Sequence, residues 1–185
     1  MRFDVIDTSI EGLKVVQRKS IGDDRGFLSR LYCAGDFKLM GVHKSISQIN
    51  HTLTNRMGAI RGMHYQLPPF AEVKLVICIR GEIFDVAVDL RKNSPTYLKW
   101  HAEILSEKNQ KSLLIPEGFA HGFQTLTANC ELIYLHTAPY SKEHERGLNY
   151  ADKKININWP LEIVEISDRD QTHPLIQSDF EGIVL

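Results

Sequence analysis

The chain is poor in the features that mark disulfide scaffolds, membrane proteins and polyanion binders. Only three of its 185 residues are cysteine, Cys33, Cys78 and Cys130, and no two of them form a CxxC pair. An odd, scattered set is a poor disulfide framework and a poor zinc cluster. No run of 18 apolar residues occurs, so a membrane-spanning helix is not expected. The N-terminal stretch through Val16 is acidic early and has no continuous apolar segment, so no secretory signal is expected. A reducing cytoplasm is the default setting. Charge of one sign is also missing: 22 Lys and Arg stand against 23 Asp and Glu, a formal net charge of −1. That balance argues against a protein whose main task is to hold nucleic acid or an anionic membrane. Low-complexity blocks, linkers and repeats are absent as well, which disfavours solenoids and disordered arrays.

What is present is a foldable core. Apolar residues make up 43% of the chain, and a chain of this length can bury about 70% of its unfolded surface. Its strongest pattern runs from Val73 to Arg91, where two Val- and Ile-rich runs flank Arg80-Gly81-Glu82 and read as a hairpin. In the second run Ile83, Asp85, Ala87 and Asp89 alternate with Phe84, Val86, Val88 and Leu90. A period of two implies one aliphatic face and one acid-bearing face. Further strand-like runs cover 112–115, stopped by Pro116, and 131–136. Helical signals are weak, with a turn or two expected at 34–40 and at 141–146. The spacing of short strands and turns predicts an all-β fold, an antiparallel sandwich or barrel with small helical decorations. Residues 1–185 read as one domain, with 160–185 as an irregular C-terminal tail packed on it. Trp100 and Trp159 read as packing anchors.

Unusual side chains concentrate in three segments. Arg61, His64, Gln66, Glu72 and Lys74 crowd one stretch, Pro116-Glu117-Gly118-Phe119-Ala120-His121-Gly122-Phe123 forms a second, and Tyr134, His136 and Tyr140 a third. A small barrel points alternate side chains inward, so polar residues in its strands line a cavity or pay a burial cost. A surface strand could also carry the first group. Histidine oriented by a carboxylate makes a general base, lysine stabilises an oxyanion, and tyrosine returns a proton. Together they suit proton abstraction beside a carbonyl, with arginines holding an anionic handle such as a diphosphate. Asp85 and Asp89 read as structural partners of Arg or Lys, and His43, His51, His101, His136, His144 and His173 as ordinary polar residues.

Pro116-x-Gly118-x-x-His121 resembles the second signature of cupins. The first cupin signature, His-x-His followed by an acid, reads His64-Tyr65-Gln66 here, with Glu72 arriving late. A mononuclear site wants three or four firm ligands, and Gln replaces His poorly on a transition metal. No metal is therefore expected. The order Gln48-Ile49-Asn50, Arg61-Gly62-Met63-His64-Tyr65-Gln66, Lys74-Leu75-Val76, Phe84 to Arg91, Ser94-Pro95-Thr96-Tyr97, Ile115 to Phe123 and Trp159-Pro160 closely resembles the dTDP-4-dehydrorhamnose 3,5-epimerases and related nucleotide-sugar epimerases. The resemblance runs from about Val5 to Leu175.

It implies a cupin-like antiparallel β barrel, or jelly roll, working without cofactor or metal on a nucleotide-diphosphate-linked 4-keto-6-deoxyhexose in deoxysugar and cell-surface polysaccharide synthesis. His64 would be the base, Asp170 its partner, Tyr134 the acid and Lys74 the enolate stabiliser. Arg25, Phe27, Arg61, His121, Tyr140, Glu145 and Arg169 would contact substrate, with Gln48 and Asn50 near the nucleotide. Tyr140 would stack on the nucleotide or close the barrel mouth. Homodimers with exchanged N-terminal strands are implied, so that Arg25 and Phe27 serve the neighbour's site. One departure stands out: where the family usually carries an acid after Gly-Phe-Phe-x, this chain has Arg30. Either the nucleotide base differs or Arg30 points to solvent. A binding module without turnover and a metal-dependent cupin enzyme are the competing readings.

Overall fold

A computed structural model describes residues 2–185. Two antiparallel sheets face one another in a jelly-roll arrangement. The first holds β1 (Phe3–Asp7), β2 (Lys14–Arg18), β10 (Lys111–Ile115), β7 (Lys74–Arg80), β12 (Cys130–His136) and β5 (Gln48–Thr54), adjacent in that order. The second runs β13 (Glu145–Gly147), β6 (Ala59–Gln66), β11 (Phe119–Thr125), β8 (Glu82–Asp89) and β9 (Trp100–Ser106). A short strand β14 (Glu165–Ile166) adds to β6 in parallel. The hairpin of β3 (Ile21–Asp23) and β4 (Gly26–Leu28) pairs only with itself.

The segment from Val73 to Arg91 does make two strands about Gly81, but not a hairpin. β7 lies between β10 and β12 in one sheet, and β8 between β11 and β9 in the other. Two β-branched runs about a glycine describe any tight corner, and partner choice is made by the distant strands. Gly81 is needed at this corner: its φ is +79°, and a Cβ there would lie 2.7 Å from Thr127 Oγ1.

Three apolar layers hold the sheets. Between them sit Val15, Val76, Ile83, Ala87, Leu105, Leu113, Phe123 and Leu132. Outside the first sheet, Val16, Leu75, Ile77 and Leu135 pack against Phe37 of helix α1 (Ala34–Leu39). Outside the second, Val86, Val88 and Leu90 are covered by Leu148, Ile155 and Ile183. β8 is thus buried on both faces, and its acid-bearing face is the interior one. Asp89 is satisfied there by Arg91 at 2.8 Å, Ser94 at 2.6 Å and Thr96 at 2.7 Å. Asp85 instead meets His121, so its partner is not the Arg or Lys expected from sequence.

Trp100 and Trp159 pack against the third layer and donate their indole N–H groups to Ile155 O and Tyr150 O, the anchoring role expected of them. The 141–146 segment contributes a single turn, closed by Glu145 N–H to Ser141 O at 2.8 Å, before entering β13. Residues 160–185 carry β14, the short helix α2 (Asp168–Gln171) and a bridge from Ile183 to Arg91. Among the described residues, no helix is long and apolar enough to cross a membrane.

Candidate active site

A cavity of about 730 Å³ opens between the two sheets at the β5 and β6 side. Its walls are chemically different. β6 and β11 of the second sheet supply Arg61, His64 and His121, while β5, β7 and β12 of the first supply Gln48, Asn50, Lys74, Tyr134 and His136. His64 and His121 are register partners on adjacent strands, as are Lys74 and His136.

Arg61 and His64 both line the cavity although they are three residues apart. In a regular strand, positions separated by an odd number face opposite ways. The conflict is resolved by a bulge: Arg61 pairs with Phe123 and His64 with His121, three steps on β6 against two on β11. Gly62 sits in the bulge with φ +128°, and a Cβ on it would lie 2.5 Å from Gly122 Cα. Only glycine permits both that backbone angle and that approach.

The bulge also turns the Gly62 N–H away from the ladder, to donate to Asp170 Oδ2 at 3.1 Å. Asp170 Oδ1 lies 2.8 Å from His64 Nε2. Asp170 is 4% exposed and is fixed on α2, whose N-cap Ser167 Oγ accepts the Asp170 N–H. Burial works to raise the Asp170 carboxyl, but the His64 hydrogen bond and charge, with the Gly62 N–H, outweigh it and hold the group below the ordinary carboxylate range. A carboxylate facing Nε2 keeps the proton there, so the free lone pair of neutral His64 is on Nδ1, which has no hydrogen-bond partner among the described residues.

Opposite, Tyr134 stacks on His136 and meets His121 edge-on. Burial pushes its phenol well above the ordinary value, so it keeps its proton at neutral pH. His121 and Asp85 form a 2.7 Å pair beneath the cavity. Burial lifts Asp85 and lowers His121, so each is pushed toward its neutral form, against their mutual attraction and hydrogen bond. Lys74 lies 3.4 Å from Glu72, which also accepts from His136 Nδ1 at 2.9 Å. Burial alone would raise Glu72, yet these two partners hold it below its ordinary value.

At the rim, Glu145 accepts from Tyr140 Oη at 2.9 Å and from Arg169 Nη2 at 2.6 Å. Gln48 accepts the Tyr140 N–H and donates to Asn50. Arg61 is held by Thr54 Oγ1 and Leu53 O. The cavity therefore gathers His64, Tyr134, Asp170, Lys74, Gln48, Asn50, Arg61, His121, Tyr140, Glu145 and Arg169.

Arg25 and Phe27 do not line it. They sit on the β3–β4 hairpin, with Phe27 70% exposed and Arg25 paired to Asp23. Arg30 is exposed too and lines no part of this cavity. Three residues that looked ordinary or structural in sequence lie against the site: Asp85, His136 and His173, the last 3.6 Å from Asp170 Oδ1. His136 is two residues from Tyr134 on β12, so strand period alone places that pair on one face. Among the described residues, one trio has donor atoms at metal-ligand spacing, His64, Asp170 and His173, within 4.8 Å of one another. Its His64 Nε2 and Asp170 Oδ1 are already bonded to each other, and Asp170 Oδ2 is taken by Gly62.

The profile of the dTDP-4-dehydrorhamnose 3,5-epimerase family matches residues 7–178. A protein of that name from Sinorhizobium fredii (strain NBRC 101917 / NGR234) is 44% identical over 167 residues, covering 90% of this chain and 86% of its own length. Among solved structures, a dTDP-6-deoxy-D-glucose-3,5-epimerase from Legionella pneumophila Philadelphia 1, in complex with dTDP-4-keto-L-rhamnose, superimposes with a TM-score of 0.92 at 37% identity, covering 99% of each chain. A 3'-monoepimerase from Streptomyces bikiniensis, in complex with dTDP-quinovose, gives a TM-score of 0.84 at 29% identity, covering 91% of this chain and 85% of the other. A profile match that starts before β2 and ends beyond Asp170 spans every strand that lines the cavity, and the chain belongs to the dTDP-4-dehydrorhamnose 3,5-epimerase family.

Proposed function

We propose that the chain is a cofactor-independent epimerase of a nucleotide-diphosphate-linked 4-keto-6-deoxyhexose, most closely dTDP-4-dehydro-6-deoxy-D-glucose, acting at C3, at C5 or at both. The observation that carries this reading is the pairing of a carboxylate-held histidine on one sheet with a proton-retaining tyrosine on the other, across one cavity that also holds a lysine. The C4 ketone acidifies the hydrogens at C3 and C5. His64 Nδ1 takes one of them, and the electron pair moves onto the C4 oxygen as an enolate. Lys74 Nζ offers that oxygen an N–H and a positive charge. Tyr134 then gives its proton to the same carbon from the opposite face, which inverts the centre. Solvent restores Tyr134 and accepts the proton from His64. A turn of the sugar ring presents the second centre to the same base. No redox step is involved, because the ketone is present at the start.

Arg61 and Arg169 suit the diphosphate, and Gln48 and Asn50 suit the nucleotide. Residues 160–185 belong to the catalytic unit in this reading, since they carry Asp170. A reducing compartment suits it too, for Cys33, Cys78 and Cys130 are free thiols, and burial pushes Cys78 up to about 12. Incubation in D₂O with a panel of nucleotide-linked 4-keto sugars tests the substrate and the centre together. Deuterium at C3 or C5 without added cofactor is expected, and no exchange with any member would overturn the proposal.

The working form is a homodimer with exchanged N-terminal strands, in which Arg25 and Phe27 reach the partner's site. The β3–β4 hairpin supports this, since it presents Phe27 and Leu28 to solvent and pairs with no other strand among those described. Mixing inactive Arg25→Ala and His64→Ala proteins discriminates. If Arg25 acts across the dimer, each mixed dimer regains one complete site and activity returns. If Arg25 acts within its own chain, the mixture stays inactive.

A further inference from the structure

His173 lies outside the cavity wall and has no part in the reaction as described, yet the fold makes room for it with care. Its ring fills the space that a side chain at position 147 would need: a Cβ on Gly147 would fall 2.2 Å from ring atoms. The backbone on both sides is tied down, with Asn149 Nδ2 donating to Gln171 O and His173 O and Asn149 N–H to Pro174 O. The ring meets His64 edge-on, with centroids 5.4 Å apart and planes at 84°. Its Nε2 is buried, has no hydrogen-bond partner, and points at Asp170 Oδ1 from 3.6 Å, just beyond hydrogen-bond length. Such contacts are often long in ligand-free sites and close up in the reacting complex.

We propose that His173 is a positioning residue of the His64–Asp170 dyad, whose Nε2–H shares Asp170 Oδ1 with His64 and so limits how strongly the carboxylate attracts a proton on the base. The groups facing its ring are His64 from β6, Asp170 and Arg169 from α2 and Glu145 from β13. Burial first, and then the neighbouring His64, lower the His173 value, so it stands there as a neutral donor rather than a second cation. With His173 in place Asp170 faces three N–H groups: His64 at 2.8 Å, Gly62 at 3.1 Å and His173 at 3.6 Å. Remove the third, and the carboxylate holds a protonated His64 more tightly. The base then stays charged, and idle, to a higher pH.

This inference rests on the epimerase reading for its kinetics but not for its physics, and two variants separate the cases. His173→Met fills the Gly147 cradle without a donor, and His173→Gln fills it while keeping an N–H near the Nε2 position. Ring titration of His64, followed by NMR on ligand-free protein, is the first readout. The acid limb of kcat/KM for C–H exchange is the second. His173→Met is expected to move both upward by about half to one pH unit, the size expected for loss of one ordinary hydrogen bond, while His173→Gln stays near wild type. Equal shifts in both variants would assign the effect to packing, and no shift in either would leave His173 structural; both results overturn the proposal. A shifted NMR titration in a protein that exchanges no substrate proton would uphold it and count against the epimerase reading alone.

Discussion

Replacing Asp170 by Asn changes one atom and should disable the base through its tautomer. Asp170 Oδ2 accepts the Gly62 N–H at 3.1 Å and Oδ1 faces His64 Nε2 at 2.8 Å, so an amide has two ways to sit. If its NH₂ faces Gly62, two donors oppose each other in a buried site, at a cost of about 1–3 kcal/mol. If its oxygen faces Gly62, the NH₂ faces Nε2, which must then carry the lone pair, and the proton moves to Nδ1. The second arrangement is favoured, and it blocks the atom that should accept the substrate proton. General-base catalysis contributes roughly 10²–10⁴-fold, or about 3–5 kcal/mol of barrier, and Asp170→Asn is expected to lose most of that in kcat. The assay is deuterium incorporation at C3 and C5, with a melting curve to show that the variant is folded. A folded Asp170→Asn enzyme within about fivefold of wild type would refute the tautomer argument.

Lys74→Met removes the only lysine among the described residues lining the cavity, and a loss of roughly 10²–10³-fold in kcat is expected from single-donor oxyanion variants; an unchanged kcat in steady-state kinetics would place the C4 oxygen elsewhere. Gly62→Ala forces a Cβ against Gly122 at φ +128°, and should cost roughly 2–5 kcal/mol in urea unfolding as well as displacing His64 and Asp170 from each other. Glu72→Gln leaves Lys74 and His136 without their shared anion, for an expected loss of about 1–3 kcal/mol by the same measurement. Asp170 and Glu72 are both held below their ordinary carboxylate values, so the stability they add is present above the unfolded value, near 4, and is lost as pH falls through the lower folded values. The melting temperature should therefore drop on acidification across that window, and the drop should be smaller in Asp170→Asn.

The all-β class, the strands β7, β8, β10 and β12 and the inward-facing chemistry were readable from period-two patterns and turn residues. The false hairpin at Gly81 shows where that ended, because a glycine corner looks the same whether the next strand pairs back or crosses to the other sheet. Arg61 and His64 share a wall only through a bulge, which an alternation rule excludes rather than predicts. Asp170 stands 106 residues from its histidine, and nothing local marks it as a dyad partner; the family resemblance alone pointed to it. His136 carried a usable signal, lying two residues along β12 from Tyr134, and Asp85 shared the acid-bearing face of β8. His173 carried none, since its place depends on a tail segment folding over a missing side chain at Gly147. Arg25 and Phe27 lie on the exposed β3–β4 hairpin, away from the cavity of their own chain.

The central claim is that the proton leaves to one wall and returns from the other. The most direct test is the ratio of exchange to inversion in Tyr134→Phe, read by NMR in D₂O against wild type and His64→Ala. The account predicts that Tyr134→Phe still washes deuterium into the carbon that His64 deprotonates while inversion there collapses, and that His64→Ala loses both together. Inversion by Tyr134→Phe at the wild-type rate would contradict it.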